Sequence, residues 1–220
     1  MTPVEPELVE RTGLHRGLLA WRLPPGCAVL SSAPVGGGAI DDARWLVNVG
    51  VASDFARQDL DEFVAEAAAA HGCEGSGVGF LTAADVSLAQ RAEVEGVVVD
   101  ATVGIGKPTW AADAEGGWNE YTPGTINIVV QLPVALSSAA AVNLVMTVTE
   151  AKSQAMFEAD VPGTGTASDA VAIVSATTRR ATEVEQFGGP RSEWGARVAL
   201  AARQAVAAGI EVSKPRVRDA

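Results

Sequence analysis

The sequence GTINIVVQLP at residues 124–133 is followed by an apolar segment at residues 136–157 and by GTGTASDAVAIVSA at residues 163–176. The first stretch predicts a strand that is covered on both faces, because only Asn127 and Gln131 interrupt its β-branched and apolar residues. Apolar residues recur at three- and four-residue steps through the middle segment, which predicts a helix that begins at paired serines. The third stretch ends in a second buried strand. This order of strand, long helix, polar loop and strand decides the fold.

Small polar side chains cluster at the ends of the two predicted strands. Thr125 begins the first strand, and Thr164, Thr166, Ser168 and Asp169 precede the second. Polar groups beside buried strands must be hydrogen-bonded either to the protein or to a ligand. The sequence alone leaves both interpretations open: local turns or a functional site.

The rest of the chain predicts one domain of the α/β (or α+β) class, with a mixed buried sheet flanked by helices. We expect about six or seven strands and three main helices, with residues 1–12 and 212–220 as flexible tails. A Pro-Pro-Gly turn predicts that the first two strands form a hairpin. Outside the central unit, the predicted strands are residues 14–23, 27–31, 45–52, 78–83 and 97–103, and the predicted helices are residues 59–70 and 193–208.

Composition excludes several classes of partner. The chain has 220 residues, 48% of them hydrophobic, and a formal net charge of -11. The acidic balance disfavours nucleic acid and anionic lipid, and no run of about 18 apolar residues predicts a membrane span. We therefore expect a cytoplasmic protein with neither nucleic-acid nor membrane partners, and a homo-oligomer stays open.

The few cysteines and histidines do not predict a metal site. Cys27 and Cys73 lack metal-like spacing, and residues 1–13 lack the plan of a signal peptide, so we expect reduced thiols. His15 and His71 are expected to be structural residues.

Two further features are ambiguous. The glycine run at residues 36–38 marks either a tight turn or a place where a ligand approaches the backbone, and it lacks the spacing of a phosphate-binding loop. Trp110 and Trp118 lie in a polar loop, where they cover a flat ligand or pack into the core.

Five segments, which span about 150 residues, resemble the adenosylcobinamide amidohydrolase family of corrinoid salvage. Two positions depart from the family pattern: Gly36 stands where an Asn is common, and residues 165–169 read GTASD where GTGTD is frequent. The segments are SSAPVGGG from Ser31, NVGV from Asn48, GFLTAAD from Gly79, GTINIVV from Gly124, and TEAKSQA from Thr149 with the later GTGTASDAV.

The resemblance implies hydrolysis of the amide that joins aminopropanol to the corrin ring, with adenosylcobyric acid as the product. The cobalt belongs to the substrate, so no protein-held cofactor is expected. If Thr125 attacks the amide, we expect backbone amides near residues 36–38 or Thr82 to donate to the oxyanion. The candidate substrate-binding residues are Ser32, Gly36, Gly37, Asn48, Thr82, Asn127, Thr166 and Ser168.

Two chemical routes to amide hydrolysis remain, because the sequence has no cluster of His or Cys: an activated Thr or Ser, or a water activated by a carboxylate. The order of the central unit is also similar to self-processing aminopeptidases and ornithine acetyltransferases. That weaker resemblance implies Thr125 as nucleophile, with Asp169 orienting it or relaying a proton. Glu150 is a second candidate base. Otherwise Glu150 and Lys152 are surface charges of the long helix, and their spacing of two prevents them from pairing.

Three functions therefore stay open. The first is the corrinoid amidohydrolase. The second is a peptidase or acyltransferase with an N-terminal nucleophile that acts on another amide, and it predicts cleavage between Gly124 and Thr125. The third is a noncatalytic corrinoid-binding protein, which predicts binding without turnover.

Overall fold

The computed structural model describes residues 1–113 and 124–213, so Trp118 lies outside the described residues. The described residues form three α-helices and eleven strands, beside two short 3-10 turns. The strands are β1 (Glu7–Val9), β2 (Leu18–Arg22), β3 (Cys27–Ser31), β4 (Gly38–Ile40), β5 (Trp45–Gly50), β6 (Gly77–Thr82), β7 (Gln90–Val94), β8 (Val97–Gly104), β9 (Thr125–Leu136), β10 (Ala170–Ala176) and β11 (Val184–Glu185). The helices are α1 (Leu60–Ala70), α2 (Ser138–Glu158) and α3 (Glu193–Ser213).

The strands form two mixed sheets. Sheet A has four strands in the order β1-β2-β5-β6, and sheet B has the order β4-β3-β10-β9-β8-β7, with β11 beside the end of β9. β5 pairs with β6 and β9 pairs with β10 in parallel, whereas the pairs β2–β5, β3–β10 and β8–β9 are antiparallel. The predicted class, a mixed α/β domain, is confirmed, but with two sheets.

The two sheets pack face to face between helices, which gives four layers. Ile126, Ile128 and Val130 of β9 pack against α2 and α3, whereas Val129 packs toward Phe80 of sheet A. The outer face of sheet A is covered by α1. Successive side chains of a strand point to opposite faces, so β9 is buried on both sides, as its nearly continuous apolar sequence predicts.

The central strand–helix–strand unit forms as predicted. Ser137 caps α2, since its Oγ accepts a hydrogen bond from the backbone N–H of Ala140 at 3.1 Å. Two parallel neighbouring strands need a crossover connection, and α2 supplies it. Asn127 of β9 lies opposite Ala170 of β10. The first residues of both strands therefore meet at one end of the sandwich.

The predicted hairpin of the first two strands is wrong. β2 pairs with β1 and β5 in sheet A, whereas β3 pairs with β10 and β4 in sheet B. The Pro-Pro-Gly turn thus carries the chain from one sheet to the other. A turn sequence shows where the chain bends but does not specify the partner of each strand.

Element lengths also differ from the predictions. Eleven strands form instead of six or seven, since several have only two or three residues. β1 lies within residues 1–12, which we expected to be a flexible tail. The last helix is predicted at residues 193–208, before Gly209, but α3 continues through Gly209 to Ser213. A side chain at Gly209 would collide with Val103 of β8, so this glycine allows close packing and does not end the helix.

A buried carboxylate joins the two sheets at one side of the layer between them. Asp100 of β8 accepts a hydrogen bond from the indole N–H of Trp21 at 2.9 Å and pairs with Arg91 at 3.0 Å. Burial raises the pKa of Asp100, and its hydrogen bonds and Arg91 oppose that rise. The contact ties β2 of sheet A to β8 of sheet B.

The two histidines lie next to each other near the end of α1. Their Nε2 atoms are 3.1 Å apart, and the backbone N–H of Gly17 donates to Nδ1 of His15 at 3.2 Å. The single proton of a neutral His15 ring is therefore on Nε2 and points at His71. Burial and the neighbouring His71 lower the pKa of His15.

The histidine pair predicts loss of stability in acid. The pKa of His15 is lower in the folded chain than in the unfolded chain, so protonation favours unfolding as the pH falls below about 6.5. The charged groups near the pair are Arg22, which bonds the His71 carbonyl, and its partner Glu7. Urea titrations at about pH 7.5 and about pH 5.5 should show a smaller loss of unfolding free energy in His15→Gln than in the wild type. Equal losses would exclude His15 as the source.

Close packing of α1 on sheet A predicts a second effect on stability. A methyl group at Gly79 of β6 would collide with Val64 of α1. Gly79→Ala should lower the free energy of unfolding by about 1–3 kcal/mol, measured by urea denaturation. Gly13→Ala is the control, because no described heavy atom lies within 4 Å of its added methyl. The control should change stability by less than about 0.5 kcal/mol, and a similar small change in Gly79→Ala would contradict the packing argument.

Candidate active site

A cavity of about 440 Å³ opens at the end of the layer between the two sheets. One wall is the connection from β5 to α1, and another is the end of β6 with Thr82. Thr125, Asn127 and Ser168 line it from sheet B. The structure thus brings four of the predicted site residues to one cavity, and much of the remaining wall is apolar.

The hydroxyl of Thr125 is fixed by Ser168. Thr125 is 5% exposed, and its Oγ1 lies 2.7 Å from Oγ of Ser168. Ser168 also donates to the carbonyl oxygen of Gly124 at 3.1 Å. When the single hydroxyl hydrogen of Ser168 is directed to Gly124, the Thr125 hydroxyl donates to Ser168. The oxygen of Thr125 then keeps its lone pairs for another partner.

Asp169 fixes the backbone around Thr125. Its Oδ1 accepts the backbone N–H of Ile126 at 2.8 Å, and its Oδ2 accepts the backbone N–H of Thr166 at 3.0 Å. The hydroxyl oxygen of Thr166 lies 2.7 Å from the Gly124 carbonyl oxygen and also contacts the carboxylate of Asp169. The peptide groups on both sides of Thr125 are therefore held by Asp169 and its neighbours.

Lys152 of α2 completes this cluster. Its Nζ lies 2.5 Å from Oδ2 of Asp169, and the two side chains are only 9% and 12% exposed. An ammonium group so close to a carboxylate forms a charge-assisted hydrogen bond. The negative charge of Asp169 is thus neutralised beneath the cavity.

The prediction that Lys152 is a surface charge is wrong. Val148, Ala151 and Ala155 belong to the buried face of α2, and Lys152 follows Val148 by four residues and precedes Ala155 by three. That spacing could have located Lys152, because residues three and four apart share a helix face. Glu150, the other candidate base, is exposed, and it does not line the cavity.

Gly165 makes room for the ion pair. A side chain at this position would collide with both the Asp169 carboxylate and the Lys152 ammonium. The glycine that begins the GTASD segment is therefore required by the side chains that pack over it.

Asn127 and Asn48 cross the layer between the sheets beside the cavity. The side-chain amide of Asn127 donates to Oδ1 of Asn48 at 3.0 Å and to the carbonyl of Leu81 at 3.1 Å. Asn48 in turn donates to Oγ1 of Thr102 at 2.9 Å. Sequence reasoning missed Thr102, since one threonine in an apolar strand carries no distinguishing pattern.

The remaining predicted residues have local backbone partners. Oγ1 of Thr82 lines the cavity and accepts the backbone N–H of Ala84 at 3.0 Å. Oγ of Ser32 accepts the backbone N–H of Val171 at 3.0 Å, which ties its loop to β10.

Gly36 and Gly37 of the glycine run pack against backbone, and none of residues 36–38 lines the cavity. Gly36 has a φ of 65°, and a side chain there would collide with the backbone of Gly77. A side chain at Gly37 would collide with the carbonyl of Ala33. Pro34 of the same loop does line the cavity. The departure at Gly36 therefore suits the packing of this chain.

Within residues 1–113 and 124–213, His, Cys, Asp and Glu side chains form no group of three or more that could hold a metal ion. None of the helices in this part of the chain is both long and apolar enough to cross a bilayer.

Comparison with known proteins gives consistent matches along the chain. The family model described as adenosylcobinamide amidohydrolase matches residues 3–217. An adenosylcobinamide amidohydrolase of Halobacterium salinarum is 30% identical over 207 residues, 91% of this chain and 87% of that protein. Another from Methanosarcina mazei is 27% identical over 176 residues, 77% of this chain and 84% of its own length. The resemblance inferred from the sequence segments is confirmed.

The buried ion pair predicts that loss of Lys152 lowers the free energy of unfolding more than loss of the exposed Arg179. Lys152→Met leaves the Asp169 carboxylate without its cationic partner, so the free energy of unfolding should fall by about 3–5 kcal/mol in urea denaturation. Arg179→Met is the control, because its ion pair with Asp41 is 72% and 71% exposed. That change should cost less than about 1 kcal/mol. If both variants were as stable as the wild type, the ion pair would not support the site.

Proposed function

This chain belongs to the adenosylcobinamide amidohydrolase family, and we propose that it hydrolyses the aminopropanol amide of adenosylcobinamide, with adenosylcobyric acid as the product. One observation supports the location of the chemistry: the Thr125 hydroxyl is fixed at a cavity wall by Ser168, beside the Lys152–Asp169 pair. The proposal places the reaction in cobalamin salvage in the cytoplasm. It includes no protein-held cofactor, because the corrinoid itself carries the cobalt. It also includes no nucleic-acid or membrane partner, because the chain is acidic.

Thr125 is the proposed nucleophile. Its Oγ1 attacks the amide carbonyl carbon and forms a tetrahedral oxyanion. When the intermediate collapses, the carbon–nitrogen bond breaks, and the proton that the base took from the Thr125 hydroxyl passes to the nitrogen. Aminopropanol leaves as the free amine, and an ester to Thr125 remains. Water then hydrolyses the ester to the carboxylate and restores the hydroxyl. The oxyanion needs hydrogen-bond donors, and Ser53, Arg57 and Gln58 line the same cavity with side chains that carry O–H or N–H groups. Asn127 also lines it, but both of its amide hydrogens are already donated, to Asn48 and to Leu81.

Activation of Thr125 requires a base, and two sources fit the cluster. The first is Asp169. Its carboxylate accepts the N–H of Ile126, next to Thr125, and does not bond the Thr125 hydroxyl directly, so it would take the proton through a water. The second is an α-amino group at Thr125 itself, which exists only after the chain is cleaved before this residue. The two sources predict different intact masses.

The environment of the Gly124 carbonyl favours the second source and, with it, the alternative of an N-terminal nucleophile acting on another amide. This oxygen is contacted by the hydroxyls of Thr166 at 2.7 Å and Ser168 at 3.1 Å. The hydroxyl of Ser168 would stabilise an oxyanion if Thr125 attacked the Gly124 carbon, and so would that of Thr166 when its single hydrogen is directed to Gly124 and not to Asp169. The Gly124–Thr125 bond would then break, the hydroxyl proton would pass to the nitrogen, and water would hydrolyse the resulting ester.

Substitution of the nucleophile tests the proposed function. Thr125→Ala should lower the rate of adenosylcobyric acid formation by at least about 10³-fold, measured by mass spectrometry. Thr125→Ser should retain measurable hydrolysis, since it keeps a hydroxyl. Thr149→Ala is the matched control: this exposed threonine bonds only within α2 in the described structure, to the carbonyl of Val145, and its loss should leave the rate unchanged.

The outcomes separate the alternatives. Wild-type protein that binds adenosylcobinamide without turnover would contradict the hydrolase and indicate a corrinoid carrier. An unchanged rate in Thr125→Ala would exclude Thr125 as nucleophile and favour a water activated by a carboxylate. Intact mass from the same tube distinguishes one chain from fragments 1–124 and 125–220.

A further inference from the structure

A second groove opens near the cavity and carries two exposed aromatic rings. It encloses about 510 Å³ and is lined by Trp110, Phe157, Val161 and Pro162. Trp110 is 53% exposed and Phe157 is 78% exposed. Large aromatic side chains exposed together to water are typical of surfaces that bind a ligand or a partner.

The backbone around Trp110 is held rigidly. The N–H of Thr109 donates to the carbonyl of Gly165 at 2.8 Å, and the N–H of Thr164 donates to the carbonyl of Thr109 at 2.9 Å. On the other side of Trp110, the N–H of Ala111 donates to Oγ1 of Thr164 at 3.0 Å. An exposed ring on a fixed backbone loses little conformational entropy when a ligand covers it.

Glycine is required for this attachment. A methyl group at Gly163 would lie 2.8 Å from both the backbone nitrogen and the carbonyl oxygen of Thr109. The segments that carry Trp110 and line the groove therefore approach each other backbone to backbone.

The groove and the cavity lie at the same end of the molecule. The C-terminal half of α2 reaches this end, since Lys152 contacts Asp169 and Ser153 donates to the carbonyl of Thr164 at 2.9 Å. The loop between α2 and β10 contributes to both: residues 160–164 line the groove and Ser168 lines the cavity. A ligand broad enough to extend across that loop would contact both.

The substrate of the proposed function is such a ligand. The cavity of about 440 Å³ has the volume of a site for a small molecule and suits the aminopropanol-bearing arm. The corrin macrocycle with its adenosyl group is much larger than that arm, so it must lie outside. We propose that the Trp110–Phe157 groove binds the face of the corrin macrocycle while the amide arm enters the cavity. This inference rests on the proposed function for the identity of the ligand.

Three alanine variants test whether the Trp110–Phe157 groove binds the corrin macrocycle. Trp110→Ala and Phe157→Ala should each raise KM for adenosylcobinamide by about three- to tenfold, with kcat within about twofold of the wild type. Phe187→Ala is the matched control, because Phe187 is also an exposed aromatic residue, 74% exposed. It precedes Gly188, which packs against Ala140 in the first turn of α2, whereas the groove lies at the last turns of that helix. This control should leave KM unchanged.

Equilibrium dialysis keeps the test separate from catalysis. In a Thr125→Ala background, where the ligand is not consumed, the Kd values for adenosylcobinamide, and for cobinamide without the adenosyl group, should rise by the same factor when Trp110→Ala or Phe157→Ala is added. If the wild type binds without turnover and these Kd values rise, the proposed hydrolysis is wrong, but corrin binding at the Trp110–Phe157 groove is supported. Unchanged KM and Kd in both variants would overturn the proposal that this groove binds the corrin. So would an effect that disappears with cobinamide, since the groove would then bind the adenine.

Discussion

Parallel pairing of β9 with β10 is the constraint on which the rest of the molecule depends. Two adjacent parallel strands require a crossover, and α2 runs back over the outer face of sheet B to provide it. Burial of sheet B on its other face then requires a second apolar layer, which is sheet A. The same pairing places the starts of both strands at one edge, so Asp169 accepts the backbone N–H of Ile126 although the two are 43 positions apart in sequence.

The ion pair beneath the cavity is not explained by stability alone. A buried lysine and carboxylate lose hydration on folding, and their attraction often does no more than offset that loss. A well-packed apolar pair in the same space would hold α2 against the loop equally well. Asp169 differs from such a pair because its oxygens also bind the N–H groups of Ile126 and Thr166. Lys152 therefore stabilises a carboxylate whose other contacts define the backbone around Thr125.

Local patterns were predictable from the sequence, and distant pairings were not. The strand–helix–strand unit follows from periodicity and caps within about 50 residues, and it brought Thr125 and Ser168 together as expected. The predicted hairpin failed because the partners of β2 and β3 lie in different sheets. The charge of Lys152 alone predicts a surface position, whereas its spacing from the buried residues of α2 predicts a buried one. The glycine run predicts ligand contacts at Gly36 and Gly37, but the backbone that excludes side chains there is visible only in three dimensions.

The Gly124 carbonyl shows why stability and reactivity are linked at this site. It lies just before β9, and an unpaired carbonyl near a buried strand would be costly. The hydroxyls of Thr166 and Ser168 remove that cost. Ser168 is also the partner of the Thr125 hydroxyl, so satisfying the carbonyl fixes the direction in which the Thr125 proton points. A serine that serves only the backbone would not need to lie within 2.7 Å of a second hydroxyl at a cavity wall. The arrangement therefore uses the hydrogen-bonding needs of a strand terminus to orient the hydroxyl of Thr125.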